Sequence, residues 1–422
     1  MTLHRRDFLR NAGVLGAGLT LGAGARLSGQ HAATPSPSSL TTSPPPSEEE
    51  GKPREGRPFS HERRGTPKRL LILGGTGFIG PHMVRYAVDR GHEVTIFTRG
   101  RTEADIPEVE HLIGDRNDDL SALEGRSWDV VLDNNARDYR WVRLSTDLLR
   151  DAAEQYLFVS SISAYSVAEL ELEGVTYPLQ DPIVDEDASL FSRPEGFQDG
   201  EEAPYGLSKT LGEGACQEAF PGRATIVRPG LIVGPGDPTD RFTYWPVRIQ
   251  RGGEVLVPND GSDPTQIIDV RDLTHWIVRL AEAGTTGRFN ATGPATRLSM
   301  AEMVYGIRAI TSTPVSFTWV PFDFLREQGL RPWSDMPAWI PDDPISFVSV
   351  RRALAAGLTL RPLADTALDT LLFHQSRSPE EQNDLQAGIS PNREREILEA
   401  WHGSRKGGDP SAPPTEENRT EQ

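Results

Sequence analysis

The sequence predicts an α/β protein built on a doubly wound parallel sheet. Three observations carry that prediction. Short apolar runs recur along the chain, separated by helical stretches. A glycine-rich turn joins the first run directly to the first helix. The 422 residues, 36% hydrophobic and 25% charged, can bury the large core such a sheet needs. Alternating strands and helices imply parallel pairing with right-handed crossovers.

Order is expected from Lys68. Arg69-Leu70-Leu71-Ile72-Leu73 is apolar after its first residue, the pattern of a strand buried on both faces. Gly74-Gly75-Thr76-Gly77-Phe78-Ile79-Gly80 follows. A helix is predicted over 81–90, with Met83, Ala87 and Val88 on one side and Gly91 as its stop. A second strand spans 93–98. Strand, glycine turn, helix and strand within about thirty residues make a dinucleotide-binding unit. Gly74 permits the tight turn. Gly77 lets a pyrophosphate approach the helix N-terminus, and Gly80 lets helix and strand pack closely.

The tip of the second strand selects the cofactor. A carboxylate there would hold the ribose hydroxyls of NAD. Here the chain runs Thr98-Arg99-Gly100-Arg101, and Arg99, with Arg101, could pair a 2′-phosphate. NADP is therefore expected ahead of NAD. Further strands are predicted over 109–113, 128–133, 156–160 and 224–228, with a helix over 141–154.

The termini read differently. His4-Arg5-Arg6-Asp7-Phe8-Leu9-Arg10, a short apolar stretch over 12–21 and Ala23-Gly24-Ala25 have the order of a signal peptide over 1–25. The paired arginines followed by Phe-Leu resemble a twin-arginine signal. Export of the folded protein by the twin-arginine machinery to a periplasmic or other extracytoplasmic location is expected. Residues 26–67 and 403–422 are rich in Pro, Ser, Thr and Glu and are expected to be a disordered linker and tail. The 44 basic and 61 acidic side chains leave a net charge of −17, which argues against a nucleic-acid partner. The single cysteine, Cys216, excludes an internal disulfide, and the 9 histidines show no ligand spacing, so no metal site is expected.

Tyr205-Gly206-Leu207-Ser208-Lys209 places a phenol and an ammonium four residues apart on one helix face. A phenol is a poor base at neutral pH, and a neighbouring ammonium stabilises the phenolate. The same ammonium can hydrogen-bond the nicotinamide ribose. Four lysines and 8 tyrosines in 422 residues would give about 0.08 such pairs by chance (4 × 8/422). The run Phe158-Val159-Ser160-Ser161-Ile162-Ser163-Ala164-Tyr165 brings hydroxyls to a strand end, where one could orient a substrate oxygen toward Tyr205. No single serine stands out on this ground.

These motifs resemble the extended short-chain dehydrogenase/reductase superfamily, in its NAD-dependent epimerase/dehydratase branch. The matching residues are Gly74 to Gly80, Gly114-Asp115, Ser160-Ser161 with Tyr165, Pro204-Tyr205 with Lys209, Arg228-Pro229-Gly230 with Gly234-Pro235-Gly236, and Ile268-Asp269-Val270-Arg271-Asp272-Leu273. The resemblance covers residues 68–375. It implies a Rossmann-like NAD(P) domain, taken as 68–236 with later segments returning to it. A smaller C-terminal α/β substrate domain, taken as 237–402, and a possible homodimer go with it. It assigns Ser161, Tyr205 and Lys209 as the catalytic group. It sets Thr76, Phe78, Ile79, Asp115, Arg116, Asn134, Ala136, Pro229 and Leu231 along the cofactor, with Tyr205 and Lys209 touching it too.

Two departures narrow the activity. Ile162 and Ser163 follow Ser161 where 4,6-dehydratases of the family carry Asp-Glu, so water loss is not expected. Thr265 stands where nucleotide-sugar epimerases usually carry a diphosphate-gripping arginine, unless Arg241, Arg248 or Arg251 replaces it. Arg241, Tyr244 and Trp245 are the substrate-pocket candidates, although domain packing would explain the same aromatics. Trp319, Trp333 and Trp339 read as core or lid. The expected activity is hydride transfer at a carbinol or carbonyl carbon of a small substrate, sugar-like compounds included. The alternative is a dinucleotide-binding or regulatory protein without turnover.

Overall fold

Side chains alternate between the two faces along the first strand, and all four of its apolar residues are buried. Leu70 and Ile72 pack on one face of the sheet, Leu71 and Leu73 on the other. Both faces are therefore covered, which is why the strand reads as one apolar run. The structure, a computed structural model, describes residues 65–102, 106, 108–134, 136–172 and 184–406. The twin-arginine pattern, nearly all of the expected linker and most of the expected tail lie outside the described residues.

The strands in chain order are β1 (Arg69–Leu73), β2 (Glu93–Thr98), β3 (Glu110–Ile113), β4 (Trp128–Asp133), β5 (Ala153–Val159), β6 (Ala224–Pro229), β7 (Leu231–Val233), β8 (Gly253–Pro258), β9 (Ile267–Asp269), β10 (Gly287–Ala291) and β11 (Val315–Val320). Among the described residues, seven form one sheet in the order β10-β6-β5-β4-β1-β2-β3, every pair parallel. The chain steps outward from β1 to β3, then returns to the other side of β1 with β4. The loops after β1 and β4 diverge at that reversal, the crevice where such sheets take ligands.

The Ile79–Asp89 and Val270–Ala283 helices cover one face of the sheet through Met83, Val84, Ala87, Trp276 and Ile277. The Tyr139–Leu149 and Tyr205–Ala219 helices cover the other through Val142, Leu149, Ala215 and Cys216. A further core surrounds the parallel β8–β11 pair, with Trp245, Met303, Trp339, Ile397 and Trp401. The final helix, Pro391–Lys406, runs past Gly403, where a tail was expected to begin.

The helix expected over 141–154 is instead Tyr139–Leu149, and β5 begins at Ala153. Asp138 caps the helix, its side chain accepting from the Arg140 N–H. Gln155 is polar yet buried in β5, so the start of the strand does not read as an apolar run. The Gln155 amide nitrogen donates to Thr225 Oγ1 at 2.9 Å and to the Thr285 carbonyl at 2.7 Å, which offsets part of the cost of burial.

Candidate active site

The glycine turn leaves β1 through two left-handed residues, Gly74 at φ +117° and Gly75 at φ +114°. A Cβ on Gly80 would lie 2.4 Å from the Gly75 carbonyl carbon, so only glycine lets the helix start on the turn. A Cβ on Gly77 would meet nothing within 4 Å. The helix begins without a side-chain cap from Phe78. The Gly80 N–H donates to the Gly77 carbonyl at 3.1 Å and Pro81 has none, which leaves the Ile79 N–H for an anion.

Tyr205 opens the Tyr205–Ala219 helix, where the helix dipole favours negative charge. Lys209, one turn later, is 6% exposed. Its Nζ donates to the Ala136 carbonyl at 2.7 Å and the Val159 carbonyl at 3.0 Å, and lies 5.6 Å from the centre of the Tyr205 ring. The ammonium is thus pinned between the ends of β4 and β5, with a third proton for a ligand. The two strand-end serines differ. Ser160 Oγ donates to Glu213 Oε1 at 2.5 Å. Ser161 Oγ accepts from the Ser163 N–H at 3.1 Å, a contact that leaves its own proton to donate.

One cleft is lined by Ile79, Asn134, Ala136, Ser161, Tyr205, Lys209 and Pro229, together with Arg137, Val159, Ser160, Gly230 and Ile232. Residues 70–291, more than half of the chain, match the Epimerase family, described as the NAD dependent epimerase/dehydratase family. The chain belongs to this family. The chloroplast stem-loop binding protein of 41 kDa b from Arabidopsis thaliana is 30% identical over 54% of this chain and 59% of its own length, so less than two thirds of that relative is spanned. The 2-alkyl-3-oxoalkanoate reductase of Stenotrophomonas maltophilia is 26% identical over 58% of this chain and 76% of the reductase. The Bordetella bronchiseptica enzyme WbmH, solved with NAD+, has TM-score 0.54 at 16% identity, covering 73% of this chain and 99% of that one. At that identity the likeness concerns the fold.

The epimerase/dehydratase family implies a nicotinamide dinucleotide, and the residues present fit one. The open side of Gly77 and the uncapped helix start suit the pyrophosphate. Asn134, Ala136, Pro229 and the Lys209 ammonium share the cleft beyond it. At the β2 tip, Thr98 Oγ1 pairs with His111 Nε2 at 2.7 Å, and Arg99 and Arg101 are exposed. Thr76 and Phe78 are half-buried in the turn. Asp115 Oδ1 accepts from the Asn117 backbone N–H at 3.0 Å and from its side chain at 2.6 Å.

Four predicted site residues have their side chains engaged away from the cleft. The first is Arg116. Its guanidinium grips buried Asp133 at 2.6 and 2.7 Å and donates to Ser145 Oγ at 2.8 Å. Leu231 packs toward the C-terminal core, and strand alternation turns Ile232 into the cleft instead. Tyr244, 3% exposed, and Trp245, fully buried with Nε1 donating to the Pro337 carbonyl at 2.8 Å, belong to that same core rather than to a substrate pocket.

Arg241 is different. Its Cζ lies 4.9 Å from the Trp333 ring centre. Burial lowers its pKa, while Asp237 and Tyr205 are close enough for their charges to favour the guanidinium. Arg248 cannot stand in for a diphosphate clamp, because it is buried against Glu394 at 2.6 Å. Thr265 is likewise spent, its Oγ1 donating to the Ala338 carbonyl at 2.9 Å.

Of the cleft residues, Arg137 and Ile232 lie outside every motif read in the sequence, whereas Val159, Ser160 and Gly230 lie within motifs without a role of their own. Only the alternation of β7 offered a signal for one of them, Ile232.

Proposed function

We propose that this protein is an NAD(P)-dependent oxidoreductase or epimerase of the extended short-chain type, acting at a carbinol or carbonyl carbon of a small substrate. The observation that carries the reading is the convergence of Ser161, Tyr205 and Lys209 on one cleft beside the glycine turn. When bound there, the nicotinamide supplies hydride acceptance and return. Ser161 donates a hydrogen bond that fixes the substrate oxygen. Tyr205 takes the carbinol proton in one direction and returns it to the carbonyl oxygen in the other. Lys209 and the helix N-terminus stabilise the phenolate. No carboxylate follows Ser161, which disfavours a dehydratase. Thr265 and Arg248 are engaged elsewhere, so a diphosphate would have to be met by Arg241, Arg251 or the cleft-lining Arg137.

Arg99 supports NADP over NAD. The paired arginines at the N-terminus support export of the folded, cofactor-loaded protein, and a reporter fused to residues 1–67 that remains inside the cell would count against it. The central test is to denature protein purified without added cofactor and identify what it releases by mass spectrometry. Stoichiometric NADP(H) is expected. Empty protein that binds neither dinucleotide would sink the reading.

A second reading has one observation in its favour, the name of the plant relative. On that reading the protein binds nucleic-acid stem-loops without turnover. A stem-loop RNA titration at physiological salt separates the two, and saturable submicromolar binding would favour the second.

A further inference from the structure

Ser161 sits in a short segment whose two ends are tied to the same ion pair. Glu213 is 3% exposed and Arg228 fully buried. Arg228 Nε donates to Glu213 Oε1 at 2.9 Å and Nη2 to Oε2 at 2.7 Å. On the N-terminal side of Ser161, the Ser160 hydroxyl donates to Glu213 Oε1 at 2.5 Å. On the C-terminal side, Arg228 Nη1 donates to the Tyr165 hydroxyl at 3.0 Å, and that hydroxyl donates to Asn290 Oδ1 at 2.7 Å. Burial pushes the Tyr165 phenol up to about 12, so it stays protonated and can serve as this donor.

The same pair sets the register of the catalytic helix. Lys209 and Glu213 are one helical turn apart. They hold two consecutive residues of the strand end, Lys209 through the Val159 carbonyl at 3.0 Å and Glu213 through Ser160. Two grips on adjacent residues stop the helix from sliding along β5. Arg228, at the end of β6, adds the neighbouring strand. A buried ion pair contributes little net stability over apolar packing, because desolvation offsets most of its attraction. Its charge-assisted hydrogen bonds are directional, however, and define positions closely.

We propose that the Glu213–Arg228 pair is a positioning device for Ser161, holding the 160–165 segment at both ends so that the Ser161 hydroxyl faces Tyr205. The proposal rests on the oxidoreductase reading of this cleft, with Ser160, Tyr165, Glu213 and Arg228 as positioning residues.

The test is amide exchange in the full chain. The Ser163 N–H donates to Ser161 Oγ, so its exchange rate reports where that hydroxyl sits. Ser160→Ala and Tyr165→Phe each remove one tether and leave both charges in place. Each is expected to speed exchange at Ser163 about tenfold, toward the rate of Ser161→Ala, with the amides of β1 and β4 unchanged. Ser160→Thr keeps the hydroxyl and is expected to restore the original rate. An unchanged Ser163 rate in both variants would overturn the proposal. So would a parallel rise at β1 and β4, which marks general loss of stability. Binding of NADP(H) and NAD(H) is measured on the same samples. Failure of the unmodified protein to bind either overturns the oxidoreductase reading alone, because the exchange result does not depend on cofactor.

Discussion

The cofactor side of the cleft is assembled from residues close in sequence to strand ends, and much of its work falls to backbone. Gly74 to Gly80 follow β1 directly, Ala136 lies three residues after β4, and the carbonyls of Ala136 and Val159 hold Lys209. The proposed substrate side is assembled from side chains of distant segments. Arg241 follows the Gly234-Pro235-Gly236 turn, and its partner Trp333 lies in a separate loop at φ +69°. Asp240, beside Arg241, is also left-handed at φ +52° and is held by Arg377 at 2.8 Å. Backbone in such conformations persists only where its surroundings enforce it. A parallel sheet dictates where its strand ends lie. It does not dictate which loop side chains meet above them.

The largest effect that would test this contrast lies where the two sides meet. Tyr205→Phe is expected to lower turnover at least about 100-fold while the dissociation constant for NADP(H) stays within about twofold. Unchanged turnover would remove the acid/base role. Next is the backbone claim. Gly80→Ala forces a Cβ onto Gly75 and is expected to cost about 1–3 kcal/mol in chemical denaturation, whereas Gly77→Ala is expected to keep the fold and weaken dinucleotide binding. Equal stability losses in both would break the distinction between a packing glycine and a ligand-facing one.

The substrate side should respond the other way. Arg241→Gln is expected to raise the substrate KM roughly three- to tenfold without changing NADP(H) affinity, measured on any carbonyl substrate that a reductase screen returns. Arg99→Ala is expected to cost NADP a few-fold in affinity relative to NAD, a small effect because the side chain is exposed.

The last effects are in the pH dependence of stability, where two buried groups differ in sign. Burial, reinforced by Arg361 and Arg279, lowers His275 from 6.5 to about 3. Between those values the unfolded chain holds a proton that the folded one does not. The stability contribution is complete above pH 6.5 and is lost as pH falls toward 3. Asp237 behaves oppositely, since burial raises its pKa. Its charging opposes folding as pH rises through the folded value. His275→Phe is therefore expected to reduce acid sensitivity, and Asp237→Asn to raise stability near neutral pH, both read from denaturation midpoints against pH.

The sheet was legible because strands covered on both faces must be apolar throughout, and β1, β2 and β4 were read to within a residue. The boundary at β5 was not, because the buried amide of Gln155 looks polar in sequence. Arg116 and Arg99 illustrate the same limit in the site. Both follow strand tips and both suit a phosphate, but Arg116 has Asp133 beside it in space.

What the sequence determined alone is whatever depends on local spacing: the glycine turn, the four-residue interval between Tyr205 and Lys209, and the order of strands and helices. These are short-range properties of one backbone segment. Tertiary structure decided the remainder. It tied the Ser160 hydroxyl to Glu213 while leaving the Ser161 proton free to donate, moved Tyr244 and Trp245 into a core, and left Arg241 beside Trp333 near Tyr205. Each of those outcomes depends on a partner supplied by a distant segment, and partners of that kind are set only when the elements pack.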